Sequence, residues 1–153
     1  MRPDRIIVGE VRGSEVMDML QAMNTGHEGS MTTIHANSPR DAITRMEAMA
    51  GMSGLTLSES LVKQTIARSL EVIVQLSRGT DGKRRISSIS EITGMEGNVI
   101  TQNEIFLFKQ TGTAEDGRIT GDFQATGVRP RILEKIARGG IDPMTIAREF
   151  GAA

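Results

Sequence analysis

The chain has 153 residues, a net charge of −1, 38% hydrophobic residues and 24% charged residues, the usage of an ordinary soluble domain. That balance gives no bulk attraction to nucleic acid or anionic lipid. The absence of cysteine excludes a disulfide framework and a thiolate metal site, and apolar runs of a few residues fall far short of the ~20 needed to cross a bilayer.

In chain order, Met1-Arg2-Pro3-Asp4 leads into Arg5-Ile6-Ile7-Val8-Gly9, with no leader-like apolar core. The β-branched run with its glycine stop predicts a short buried strand. Gly13-Ser14 opens a helix to about Met23, with Val16, Met17, Met19, Leu20 and Met23 at helical spacing. Ser30 to His35 is a second strand candidate. Ser38-Pro39-Arg40-Asp41 predicts a helix start: a Ser cap, proline at the first helical position and an acid in the first turn. That helix should run to about Met49 and stop near Gly51. Thr56-Leu57-Ser58-Glu59 reads as a capping box for a helix reaching about Leu70, and Val72 to Leu76 as a third strand. Alternating strands and helices predict a parallel α/β sheet.

The second half reads differently. Residues 84–93, 99–108 and 118–125 look like strands separated by Gly-containing turns, an antiparallel meander. Residues 79–82 and 111–117 are the expected mobile loops. Pro130 starts a helix to about Arg138, and Asp142-Pro143 a second to about Phe150. With 3% aromatic residues and ten methionines, much of the packing falls to Met, which fits irregular gaps.

Two segments could carry chemistry. In Ile6-Ile7-Val8-Gly9-Glu10-Val11-Arg12-Gly13, a strand ending in a carboxylate puts Glu10 at the C-terminal edge of a parallel sheet, where α/β folds bind ligands. Such an acid can orient a water or hold Mg²⁺ through water; taken alone, it reads as a solvated acid after a strand. The second segment, from Gly26 to Asn37, holds both histidines, His27 and His35. Their spacing does not suit two zinc ligands on one helical turn, whereas Thr32, Thr33 and Asn37 supply donors suited to an anion. If the two strands are parallel neighbours about 5 Å apart, Glu10 and His35 project from one edge toward one phosphate.

Residues 1–13 resemble the Walker B region of type II/type IV secretion ATPases, and Met23 to Asn37 is similar to their His box. The likeness is greatest to Tad-type (CpaF-like) pilus-assembly ATPases. Glu91-Ile92-Thr93-Gly94-Met95-Glu96-Gly97 and Thr126-Gly127-Val128-Arg129-Pro130-Arg131 resemble the C-terminal region of that group.

The resemblance implies a partial RecA-like P-loop NTPase core, bearing the Walker B and His-box strands, followed by an antiparallel β meander and helices. The implied division is an ATPase-core segment over residues 1–78, the meander over 79–129 and terminal helices over 130–153. Glu10 would act on the attacking water, His35 would contact the γ-phosphate and His27 would support the box. Gly9, Arg12, Thr32 and Thr33 would support the nucleotide site. No residue would hold a metal directly; Glu10 would reach Mg²⁺ through water.

In the parent protein the resemblance implies ATP and Mg²⁺, a homo-hexamer, inner-membrane secretion-platform partners, no nucleic acid, and a cytoplasmic place peripheral to the inner membrane. No G-x-x-x-x-G-K-[ST] run occurs in the sequence, so the isolated chain is expected to be catalytically incomplete. The gap left by the P-loop strand should leave backbone and apolar faces uncovered beside residues 30–35 and 72–76, or be closed by rearranged pairing. Two other readings compete: a non-enzymatic module that binds a secretion-platform partner, and a metal hydrolase built on His27, His35 and Glu10, for which no stoichiometric zinc is expected.

Overall fold

The computed structural model describes residues 3–27, 29–142 and 144–145. The described elements, in order, are β1 (Ile7–Val8), α1 (Val16–Asn24), β2 (Met31–Thr32), α2 (Pro39–Gly51), α3 (Glu59–Ser69), β3 (Val72–Arg78), β4 (Arg84–Glu96), β5 (Val99–Thr113), β6 (Ile119–Ala125) and α4 (Ile132–Arg138). The helix expected from Asp142-Pro143 to Phe150 lies largely outside the described residues. Two compact units form. One comprises Met1–Glu71 with Gly94–Thr101, the other Val72–Thr93 with Gln102–Ala153.

In the first unit β1 and β2 pair in parallel, Ile7 opposite Met31 and Val8 opposite Thr32. Both are shorter than expected, but the contact continues beyond the ladder. The Met31 amide donates to the Ile6 carbonyl at 3.0 Å and the Val11 amide to the Thr33 carbonyl at 3.1 Å. The Ile6 amide donates to Ser30 Oγ at 2.9 Å, and the Thr33 hydroxyl donates to the Gly9 carbonyl. Ile7, read as buried, is 72% exposed, and Met31 is 57% exposed. The β-branched run is written for burial on both faces, and one face of this ladder has no cover among the described residues.

The helices build the core of this unit. α1, α2 and α3 pack together around Leu20 and Ile66, both 0% exposed. The Ser69 hydroxyl donates to the Leu20 carbonyl at 3.0 Å, tying the end of α3 to α1. At α2, the Ser38 side chain accepts from the Asp41 amide, with proline in the first turn as expected. At α3 the cap is Ser58, which accepts from the Leu61 amide, not Thr56. Both hydroxyls precede the helix by a plausible spacing, and the chain uses the one adjacent to Glu59.

The second unit is a four-stranded sheet of order β3-β4-β5-β6. β3 pairs antiparallel with β4, so Val72–Arg78 does not continue a parallel sheet; among the described residues β1 and β2 alone are parallel. β5 pairs antiparallel with β6, Phe108 opposite Phe123. α4 places Leu133, 2% exposed, against Ile105, with Ile89, Phe106 and Ala125 around them. A buried carboxylate sets the start of α4: Glu91, 3% exposed, accepts from the Arg131 amide at 2.9 Å and the Ile132 amide at 2.6 Å. These are amides that a helix leaves without internal partners.

The β3–β4 turn, read as mobile, is pinned. Asp81 accepts from Arg85 at 2.7 Å, from the Lys83 amide at 3.2 Å and from the Ile119 amide at 3.1 Å. Its side chain is 2% exposed. At Gly79 a Cβ would run into the Arg85 guanidinium, the Asp81 carboxylate and Ile119, so a side chain there would push aside the groups that pin the turn. The Arg85 hydrogen bond, reinforced by the two amides, holds the Asp81 carboxyl well below the usual carboxylate range. A carboxyl depressed in the folded state stabilises it above the unfolded value of about 3.9 and loses that effect as pH falls through the folded value. Asp81→Asn should therefore melt below the wild type at neutral pH, and the gap should close in strong acid. A gap that stays constant in thermal unfolding followed by circular dichroism would rule this out.

Candidate functional site

The site forms where the chain leaves β1 and β2. Glu10 follows Val8 by two residues and His35 follows Thr32 by three, so the in-register ladder carries both to one edge. Glu10 Oε2 lies 2.7 Å from Arg12 Nη2, and Oε1 lies 2.8 Å from His35 Nε2. Oε1 is shielded from solvent yet accepts no well-directed hydrogen bond, so the imidazole contact is one of proximity. A buried acceptor without an aligned donor is uncommon.

The Arg12 hydrogen bond lowers the Glu10 pKa; burial opposes it, and Arg12, His35 and Arg45 add favourable charge. Glu10 is thus an ionised acceptor at neutral pH. Arg12 is raised by the same contact. The exposure is uneven: 25% for the Glu10 side chain, 73% for Arg12 and 79% for His35. Solvent screens the pair, and the open sides of Arg12 and His35 remain accessible to a ligand.

Glu15, unnoticed in the sequence, holds the loop after Glu10. Its Oε1 accepts from the Arg12 amide at 2.7 Å and the Gly13 amide at 3.0 Å, and these backbone bonds lower its pKa. An acid just before a helix, two to three residues past a loop, was the available signal. Arg45, also unnoticed, lines a cleft of about 480 Å³ with His35, Ala36, Asn37, Asp41, Thr44 and Ala48.

The other expected site residues are placed as follows. His27 lies at the end of α1, its Nδ1 3.2 Å from the Ala22 carbonyl, and its carbonyl accepts from the Ser30 hydroxyl at 2.7 Å. It braces the turn into β2. Gly9 and Thr33 are joined by the hydroxyl-to-carbonyl bond between the two strand ends. Thr32 sits in the ladder opposite Val8, its hydroxyl 3.4 Å from the Thr33 carbonyl. Among the described residues no group of three or more His, Cys, Asp or Glu could hold a metal ion. No helix of the described residues is long and apolar enough to cross a membrane.

Residues 1–132 match the family described as Type II/IV secretion system protein. The chain belongs to that family. A putative conjugal transfer protein of Mycobacterium tuberculosis (strain ATCC 25618 / H37Rv) is 44% identical over 99 residues, which cover 65% of this chain and 28% of the relative. The conjugal transfer protein TrbB of Rhizobium radiobacter is 39% identical over 98 residues, 64% of this chain and 29% of the relative. In three dimensions the chain is similar to the VirB11 ATPase from the Brucella suis type IV secretion system, solved in complex with sulphate. The TM-score is 0.55 at 30% identity, over 58% of this chain and 28% of that one. This member of the family thus spans under a third of the length of the relatives it matches. Likeness to the VirB11 ATPase supports a partial P-loop-ATPase-like fold.

Proposed function

We propose that this chain supplies the water-activating and phosphate-sensing edge of a secretion or pilus-assembly ATPase of the Tad-like kind. The observation that carries the reading is the 2.8 Å approach of Glu10 and His35 at the ends of two parallel neighbouring strands. Glu10 is the base or orienting acceptor for the water, and it reaches Mg²⁺ through water. His35 meets the γ-phosphate from its open side, His27 supports the turn that carries β2, and Arg12 fixes the carboxylate. Gly9, Thr32 and Thr33 hold the strand ends that aim the pair.

On this reading residues 1–78 belong to a RecA-like core, joined to the meander of 79–129 and the helices of 130–153. The phosphate-cradling loop must come from outside these residues, because the sequence has no Walker A run. The complete machine is a homo-hexamer at the cytoplasmic face of the inner membrane, working with secretion-platform proteins on pilin assembly or export and powered by ATP and Mg²⁺.

Two measurements test this. The isolated chain, titrated with a fluorescent ATP analogue and Mg²⁺, is expected to show no saturable binding; tight binding would defeat the incompleteness. The matched region of the Brucella suis VirB11 ATPase, replaced by this chain's counterpart, should give a chimera that hydrolyses ATP. A chimera that folds by circular dichroism but turns over no ATP would count against the assignment.

A further inference from the structure

Between Glu10 and the first turn of α1 the chain leaves the ladder, and its backbone amides must find other partners. The Val11 amide still donates to the Thr33 carbonyl, and Val11 is 2% exposed. The helix begins to close with the bond from the Val16 amide to the Gly13 carbonyl. The amides of Arg12 and Gly13 fall between these two frameworks, and both are taken by one oxygen, Glu15 Oε1. A charged acceptor makes such bonds about twice as strong as a neutral one.

Glu15 is placed for the loop and not as a helix cap. It makes no side-chain cap bond to α1, whereas a cap accepts from amides inside the first turn. The fit against the loop is close: a Cβ on Gly13 would come within 3.2 Å of Glu15 Oε2.

The loop so held carries Arg12. Glu10 and Arg12 are alternate residues, which an extended backbone sets on one face, and Arg12 Nη2 lies 2.7 Å from Glu10 Oε2. The Arg12 side chain is long and 73% exposed, so an unfixed backbone would leave its guanidinium many alternatives in solvent. With Oε2 engaged by Arg12, Oε1 stays toward His35. Without that hold the carboxylate is free to turn about its own bonds.

We propose that Glu15 is a positioning residue for the hydrolytic step, acting through Arg12 on the Glu10 carboxylate. The inference rests on the reading of Glu10 as the acid that acts on the water. Asp18 supplies the comparison. It lies in the first turn of the same helix and is exposed, while the two loop amides go to Glu15. It therefore separates loop positioning from the general benefit of an acid near a helix start.

Two measurements test this. In the full chain, followed by NMR, Glu15→Ala should speed hydrogen exchange of the Arg12 and Gly13 amides about tenfold or more, the factor for losing a bond to a charged acceptor. The order parameter of the Arg12 Nε–H should fall with it. Glu15→Gln keeps an acceptor at the same reach and should hold most of both, and Asp18→Asn should change neither. In the ATP-hydrolysing chimera, Glu15→Ala should lower kcat by about 10- to 100-fold, the cost of shifting a reacting group by about an ångström, with KM little changed. In an Arg12→Ala background the same change should cost almost nothing more, because residues acting through one another are not additive. Far-UV circular dichroism checks that each variant is folded. An Arg12 side chain undisturbed by Glu15→Ala, losses that simply add in the double variant, or an equal loss in Asp18→Asn would overturn the inference. An inactive Glu10→Gln chimera beside a fully active Glu15→Ala one would overturn this inference alone, whereas a fully active Glu10→Gln chimera would overturn the reading of Glu10 beneath it as well.

Discussion

Glu10→Gln, introduced into the ATP-hydrolysing chimera, is expected to lower kcat by about 100- to 10,000-fold, the range that general acid–base groups supply, with KM little changed. Glutamine keeps the length and planarity of the side chain and can still accept from Arg12, so the loss isolates the charge. It removes the acceptor strength of Oε1, the oxygen that has no aligned donor of its own. His35→Ala should act differently. It removes an exposed imidazole beside the carboxylate, so if His35 meets the phosphate, both kcat and nucleotide affinity fall. Steady-state ATP turnover distinguishes the two. A Glu10→Gln chimera with an undiminished rate would refute the role assigned to Glu10, whatever the behaviour of His35.

Leu20→Ala should destabilise the first unit by about 3 kcal/mol, within the usual 2–5 for a buried leucine. Leu20 is fully buried beside Ile66, where α1 and α3 meet. Its carbonyl also accepts from Ser69, so the backbone there has little freedom to collapse into the cavity. Ile7→Ala is the matching control: it removes an isomeric side chain of the same size as leucine's, but its 72% exposure means that little is lost, within about 0.5 kcal/mol. Urea unfolding must be followed by far-UV circular dichroism, since the sequence has no Trp or Tyr. Equal losses in the two variants would show that Leu20 does not anchor a core between α1 and α3.

Local chemistry was the legible part of the sequence. Ser38-Pro39-Arg40-Asp41 announced α2 because a cap, a fixed φ and a first-turn acid all act within one turn, and the cap forms as expected. The two strand ends that bring Glu10 to His35 could be foreseen because a parallel neighbour needs only a strand, a crossover helix and a second strand. Partners distant in sequence were not legible. An apolar run such as Val72 to Leu76 says that a strand forms, but only its mate, β4, decides that it runs antiparallel. Asp81 looked like any turn aspartate, because the amide that anchors it belongs to Ile119, 38 residues on. Thr56 and Ser58 offered the same hydroxyl chemistry two residues apart, and composition could not choose between them. Ile7 followed the rule for a strand covered on both sides, and that cover is not among the described residues.

The Glu91 carboxylate reaches amides 40 and 41 residues later. During synthesis, then, the strand bearing this side chain leaves the ribosome well before the amides that hydrogen-bond it. Until Arg131 and Ile132 emerge, closing the sheet over Glu91 would bury polar oxygens without hydrogen-bond partners, which is unfavourable. The second unit is therefore expected to acquire its final packing late, and a nascent chain halted before residue 131 should remain open to protease around β4.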